Sequence, residues 1–206
     1  MKRYHVQLPA WANVVVILAL LAWAVWFFTA GSKHQIPEVH QRMVATGLMN
    51  ATDLPYGWGR RAFSVHDSRD VVHRAVTYRR GGPGIYSIPV SHSIMIYPNE
   101  EESKAAFLAE TTESFPPAYA DRWITPPEMV FAAKADEIRI ECLSGSTSGD
   151  SERGCSMIAR YGNVLSHVRA IVFERSYLTM PQFRRLVERV DAKMDRANKL
   201  QGVLEP

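Results

Sequence analysis

Residues 137–161 read EIRIECLSGSTSGDSERGCSMIARY, a polar loop flanked by two apolar alternations. In the first alternation Ile138, Ile140 and Cys142 fall on one strand face; in the second Cys155, Met157, Ala159 and Tyr161 do. Antiparallel pairing with Cys142 opposite Cys155 sets Ile140 against Met157 and Ile138 against Ala159. One register then serves both a covalent link and a buried face. These are the only two cysteines of the chain, so the pair reads as the disulfide of an oxidising compartment rather than two free thiols or half a metal site. The loop SGSTSGDSERG becomes a long hairpin tip closed at its base.

Downstream, residues 164–173 carry apolar side chains on both faces, as a central strand requires. Thr179 and Pro181 open a final helix whose Phe183, Leu186, Val187, Val190, Met194 and Ala197 follow a 3.6 period, with Arg, Lys, Asp and Glu on its other face. Upstream, Asn99 and Glu102 form an N-cap and N3 pair for a helix running to about residue 114, with Phe107, Leu108, Thr111, Thr112 and Phe115 toward the sheet. Prolines 116, 117, 126 and 127 predict an irregular stretch after it.

Nearer the start, Val39, Met43, Val44, Gly47 and Leu48 recur at helical spacing over residues 38–49, and the Asp53 to Gly59 segment DLPYGWG ends that helix. Residues 63–66, 71–78 and 86–97 read as strands. In the last of these Ile88, Val90, Ile94 and Ile96 alternate with serines, and Pro89 suggests an edge or a bulge. Helix, three strands, helix, two or three strands and helix predict an α+β fold: an antiparallel sheet with packed helices and one disulfide hairpin.

A different signal dominates the N-terminus. Residues 10–30, AWANVVVILALLAWAVWFFTA, hold no charge and span roughly 30 Å as a helix, the thickness of a bilayer core. Lys2 and Arg3 precede the run and only Lys33 follows it closely, which places the N-terminus in the cytoplasm and the rest outside. Trp11 at one end and Trp23, Trp26, Phe27 and Phe28 at the other suit the two membrane interfaces. A cleaved signal is the alternative, with Ala22-Trp23-Ala24 as its site, but the run exceeds the usual apolar region of about 7 to 15 residues. The predicted organisation is a cytoplasmic tail over 1–9, a transmembrane helix over 10–30, a linker over 31–37 and an extracytoplasmic domain over 38–206.

The chain carries 24 Lys and Arg against 21 Asp and Glu. Without Lys2 and Arg3 the outer part has a net charge of +1, which argues against nucleic-acid binding. No CxxCH, HExxH, phosphate-binding glycine loop or GxSxG occurs, and Gly145-Ser146-Thr147-Ser148-Gly149 has threonine at the centre. No cofactor or metal is predicted. His66-Asp67-Ser68-Arg69-Asp70-Val71-Val72-His73 gathers two histidines and two aspartates but reads as a polar turn between strands. His92 shares a face with Val90 and Ile94 and is predicted buried and neutral; His167 is open to either reading. Arg60-Arg61 and Arg79-Arg80 could meet phospholipid headgroups or simply flank turns. Tyr56, Trp58, Tyr119 and Trp123, all in irregular segments, are candidates for a partner or ligand surface, with packing beneath their own loops as the alternative. Asn50-Ala51-Thr52 fits a glycosylation sequon.

The helix followed by DLPYGW at residues 53–58, then strands, a capped helix, a cysteine hairpin and a closing amphipathic helix, resembles bacterial membrane-anchored extracytoplasmic sensor-domain proteins and lipoproteins. The outer domain of the kinase PknH is one example. The resemblance spans most of residues 38–198, and its sharpest motif is six residues long. It implies an α+β sandwich that binds ligands or partners. Such relatives commonly carry two disulfides where this chain can form one, no kinase or lipobox is present here, and no functional residue carries over.

With so short a cytoplasmic tail and no catalytic motif, the sequence predicts a non-catalytic accessory or interaction subunit. Its partners would be the lipid bilayer and other integral membrane protein subunits. Two alternatives stand beside it: a ligand- or lipid-sensing domain with a groove beneath Trp58 or Trp123, and a hydrolase. The hydrolase reading requires a carboxylate, a histidine and a nucleophile, or three metal ligands, to meet in one cleft.

Overall fold

A computed structural model describes residues 37–68, 70–80, 88–119, 122–143, 152–173 and 178–204. The chain divides into two compact units, 1–35 and 36–206. The predicted transmembrane helix over 10–30, with Trp11, Trp23, Trp26, Phe27 and Phe28, lies outside the described residues. Among those described, no helix is long and apolar enough to cross a membrane.

The second unit is built on one antiparallel sheet of seven strands: β1 (Gly59–Asp67), β2 (Val72–Arg80), β3 (Ile88–Ile96), β4 (Trp123–Ile124), β5 (Glu137–Leu143), β6 (Glu152–Tyr161) and β7 (Val164–Phe173). Their spatial order is β1-β2-β3-β7-β6-β5-β4. Among the described residues of this unit three α-helices pack on the sheet: α1 (Glu38–Gly47), α2 (Glu100–Ser114) and α3 (Met180–Leu204). After β3 the chain crosses by α2 to the far edge and returns through β5 and β6 to seat β7 against β3. This return explains why residues 164–173 are apolar on both faces: β7 is the fourth strand of seven.

The disulfide hairpin has the predicted register. Cys142 pairs with Cys155, Ile140 with Met157 and Ile138 with Ala159, and Cys142 is bonded to Cys155. Gly162, with φ at +57°, makes the tight turn between β6 and β7, a backbone conformation that favours glycine.

Helices cover both faces of the sheet. On one, α1 and α3 pack over Val76, Val90, Ile94, Met157 and Val168 to form the main core. On the other, α2 packs Phe107 and Phe115 against Ile158 and Leu165. Among the described residues both clusters lie within 36–206, which forms a compact unit of its own. Gly47 marks the closest approach of α1 to α3: a Cβ there would sit 2.7 Å from the Met194 sulfur.

Hydrogen bonds fix the element ends. The Asn99 side chain accepts from Glu102 N–H at 2.9 Å and donates to the Glu102 carboxylate at 2.8 Å, the predicted α2 cap. Asp191 of α3 is 3% exposed and accepts from the Tyr161 hydroxyl and from the Lys134 and Ala135 N–H groups. Asp53, also buried, accepts from Lys193 at 2.5 Å and from Asn50 N–H at 2.8 Å, tying the DLP turn to α3.

Two expectations are corrected. Leu108 is 58% exposed and Thr112 is exposed, because α2 turns only Ser103, Phe107 and Thr111 fully inward. Pro89 does not mark an edge strand, since β3 pairs on both sides. The β3–β7 ladder begins at Val90, so Pro89 sits beyond it, where its missing N–H breaks no pairing with β7.

Candidate functional site

β1, which ends the sheet among the described residues, departs from the rest of the fold. All nine residues of β1 are exposed, although it pairs with β2 along its whole length. Phe63 and Val65 pair with Val76 and Arg74, which places them on the main-core side, beyond the cover of α1. They remain 51% and 54% exposed. A long edge strand with outward apolar side chains is what soluble proteins ordinarily blunt with charge or bulges. Here the single irregularity, between Arg60 and Ala62, leaves the six ladder pairs from Ala62 to Asp67 regular.

Between this edge and α1 lies a groove of about 560 Å³. Val44 of α1, Leu48 just past its end, Val76 of β2 and Phe63 of β1 supply apolar walls; His40, Gln41, Asn50, Arg60, Arg74 and Tyr78 supply polar groups. The Arg74 guanidinium is engaged by the Asp67 carboxylate and by the His73 carbonyl at 2.9 Å. That guanidinium holds the Asp67 carboxyl below its usual range. The Tyr78 hydroxyl donates to the Met49 carbonyl at 3.3 Å. Burial raises the Tyr78 pKa, and the nearby Arg60 charge opposes that shift.

His92, beneath the groove, is fully buried. Met49 N–H donates to its Nδ1 at 2.9 Å, so its proton sits on Nε2 and points to the Ser166 hydroxyl oxygen at 2.9 Å. Desolvation, with smaller contributions from His167 and Lys193, lowers its pKa to about 3. It is the buried neutral histidine the strand phase predicts.

A second constellation lies on the opposite face. Ser156 Oγ is 2.7 Å from His167 Nε2, and His167 Nδ1 is 3.5 Å from a Glu110 carboxylate oxygen. Ser156 also lines a cavity of about 330 Å³ with Trp123, Ser114 and Arg169. The Arg169 Nε–H donates to the same His167 Nε2 at 3.0 Å. Guanidinium can only donate, so Nε2 is the acceptor and Nδ1 carries the proton toward Glu110. That tautomer suits a base, yet its lone pair is shared between two donors. Hydrogen bonding to His167 holds the Glu110 carboxyl below its usual range.

The predicted surface aromatics separate. Tyr56 is 98% exposed, whereas Trp58 is 6% exposed and belongs to the main core. Tyr119 ends the short turn Pro117–Tyr119. Trp123 is half-buried, packs edge-on against Phe115 at 5.1 Å and lines the smaller cavity. The larger groove lies under neither tryptophan. His66 and His73 face each other across the β1–β2 hairpin, and no group of three metal-ligating side chains occurs among the described residues. Asn50, the sequon asparagine, accepts from Thr52 N–H and Thr52 Oγ1.

Sequence reasoning singles out Arg60 but not Phe63, because alternation assigns strand faces without saying which strand ends the sheet. The Ser156–His167–Glu110 chain joins β6, β7 and α2, and no local spacing reveals it.

No protein-family model matches the chain, and comparison with curated proteins gives no match either. Among solved structures, the chain is similar to the extracellular domain of PknH from Mycobacterium tuberculosis. That likeness has 12% identity and a TM-score of 0.47, and it covers 75% of this chain and 94% of that one.

Proposed function

We propose that this chain is a single-pass, membrane-anchored extracytoplasmic protein. In this reading it is a non-catalytic accessory subunit that docks on a larger membrane assembly through the open edge of β1. The carrying observation is the full exposure of a nine-residue edge strand that displays Phe63 and Val65. An unpaired strand edge offers main-chain donors and acceptors, and an apolar pair beside it offers area to bury. The disulfide supports an oxidising compartment, and the uncharged run over 10–30 supports the anchor.

The test compares the full chain with a Phe63→Asp, Val65→Lys double variant on native gels in mild detergent, with mass spectrometry of the bands. Both positions are exposed, so the variant retains its fold. Co-migration of wild type with defined membrane subunits, lost in the variant, supports the reading. Migration of wild type alone contradicts it.

One observation favours a second reading. Ser156, His167 and Glu110 meet beside a cavity, the arrangement an acyl-transferring serine uses. Labelling by a fluorophosphonate probe that disappears in Ser156→Ala would establish it. Without labelling, the three residues are a polar tie between α2 and the sheet.

A further inference from the structure

The groove between α1 and β1–β2 carries an inference that does not depend on protein docking at the edge. Its volume of about 560 Å³ lies within the range of roughly 300–1,000 Å³ typical of small-molecule sites. Val44, Ala45, Leu48, Phe63, Val72 and Val76 give it an apolar stripe, flanked by the polar side chains of His40, Gln41 and Asn50. What distinguishes it is how Arg60 arrives there. In a regular strand, residues 60 and 63 point to opposite faces. The register shift between Arg60 and Ala62 inserts Arg61 as an extra residue, so that Arg60 pairs with Tyr78 while Phe63 pairs with Val76. Both then lie on the groove side. Bulges commonly re-aim one side chain in this way.

Charge is uncompensated at that position. Arg74 lines the same groove, but its guanidinium is held by Asp67. Among the described residues Arg60 has no hydrogen bond or ion pair, and none of those lining the groove is a carboxylate. A trough with an apolar stripe and one unpaired guanidinium complements a molecule with a long apolar body and a single anionic end.

We propose that this groove binds an amphiphilic anion, with one aliphatic chain lying along α1 and a carboxylate or phosphate headgroup on Arg60. A fatty acid and a lysophospholipid share that chemistry.

The test uses the compact unit 36–206, titrated below micellar concentrations and read by calorimetry and native mass spectrometry. The probes are palmitate, 1-palmitoyl lysophosphatidate, the zwitterionic lysophosphatidylcholine of equal chain length, and inorganic phosphate alone. Saturable 1:1 binding of either anion, at least tenfold tighter than lysophosphatidylcholine and absent with phosphate alone, supports the proposal. The preference between palmitate and lysophosphatidate names the headgroup. Arg60→Ala should weaken binding at least tenfold and Arg60→Lys should restore most of it. Phe63→Ser should weaken it through the chain while keeping the charge preference. Circular dichroism checks that these exposed-site variants remain folded. The proposal is overturned if neither anion binds saturably, if lysophosphatidylcholine binds as tightly, or if Arg60→Ala leaves affinity unchanged. Since Arg60→Ala keeps Phe63 and Val65, loss of anion binding with an intact membrane complex separates this site from the docking edge.

Discussion

Acidification should destabilise this domain through His92 before most carboxylates titrate. The imidazole is completely buried and neutral, with both nitrogens in hydrogen bonds to Met49 and Ser166. Its pKa falls from 6.5 to about 3 on folding, chiefly by desolvation, with His167 on β7 and Lys193 on α3 acting in the same direction. Between those two values the unfolded chain binds a proton that the folded chain does not, so stability rises with pH across this window. Each pH unit is worth about 1.4 kcal/mol. Lowering the pH from 7.5 to 4.5 should therefore remove about 2.5 kcal/mol through this one residue, a large share of a typical stability of about 5–15 kcal/mol. His73, whose pKa burial also lowers, adds a slope of the same sign. Asp67 and Glu110, both held below their usual range, add theirs at lower pH. A His92→Asn variant isolates the His92 contribution, because these other groups are common to both proteins. Asn keeps an acceptor for Met49 N–H but loses the Ser166 contact, which costs about 1–3 kcal/mol at pH 7.5. Urea unfolding of 36–206 at half-unit pH steps should show the wild-type and variant curves converging by about 2.5 kcal/mol toward pH 4.5. Parallel curves across pH 6.5 to 4.5 would refute the reasoning.

Other substitutions test separate parts of the structure. Lys193→Met leaves the buried Asp53 carboxylate without its cation and should destabilise the domain by about 3–5 kcal/mol in urea titration. A Lys193→Met, Asp53→Asn pair should recover part of that loss. Replacing Cys142 and Cys155 with serine opens a loop with a sequence separation of 13 and should lower stability by about 3 kcal/mol. Gly47→Leu forces a branched chain into the α1–α3 contact beside Met194 and Ile94 and should cost about 1–3 kcal/mol or more, read as a lowered Tm. Exchanging residues 10–30 for an unrelated apolar anchor should weaken co-purification with the assembly; unchanged recovery would reduce that helix to a tether.

The disulfide hairpin was legible because one covalent constraint and one apolar alternation demand the same register, and Cys142, Ile140 and Ile138 meet their partners accordingly. The centrality of residues 164–173, the Asn99 cap and the apolar stripe of α3 were legible for the same local reason: burial on a regular element has a period. Tertiary placement was not. Nothing local distinguishes Phe63, exposed on an edge, from Val76, buried one strand away. Leu108 occupies an apolar-looking position on α2, yet it lies off the buried line of Ser103, Phe107 and Thr111. The groove needs α1, β1 and β2 together, and Arg60 enters it only through a bulge that the residue types alone do not locate.

Site-specific photo-crosslinking tests the docking account most directly. A photoreactive amino acid placed at Phe63 or Val65 of the full chain, irradiated in its native membrane, should form discrete adducts with one membrane-protein partner. The same group at the exposed positions Glu101 on α2 and Lys199 on α3 should not form them. Adducts of equal pattern from all four positions, or none from Phe63 and Val65, would contradict the assignment of β1 as the docking edge.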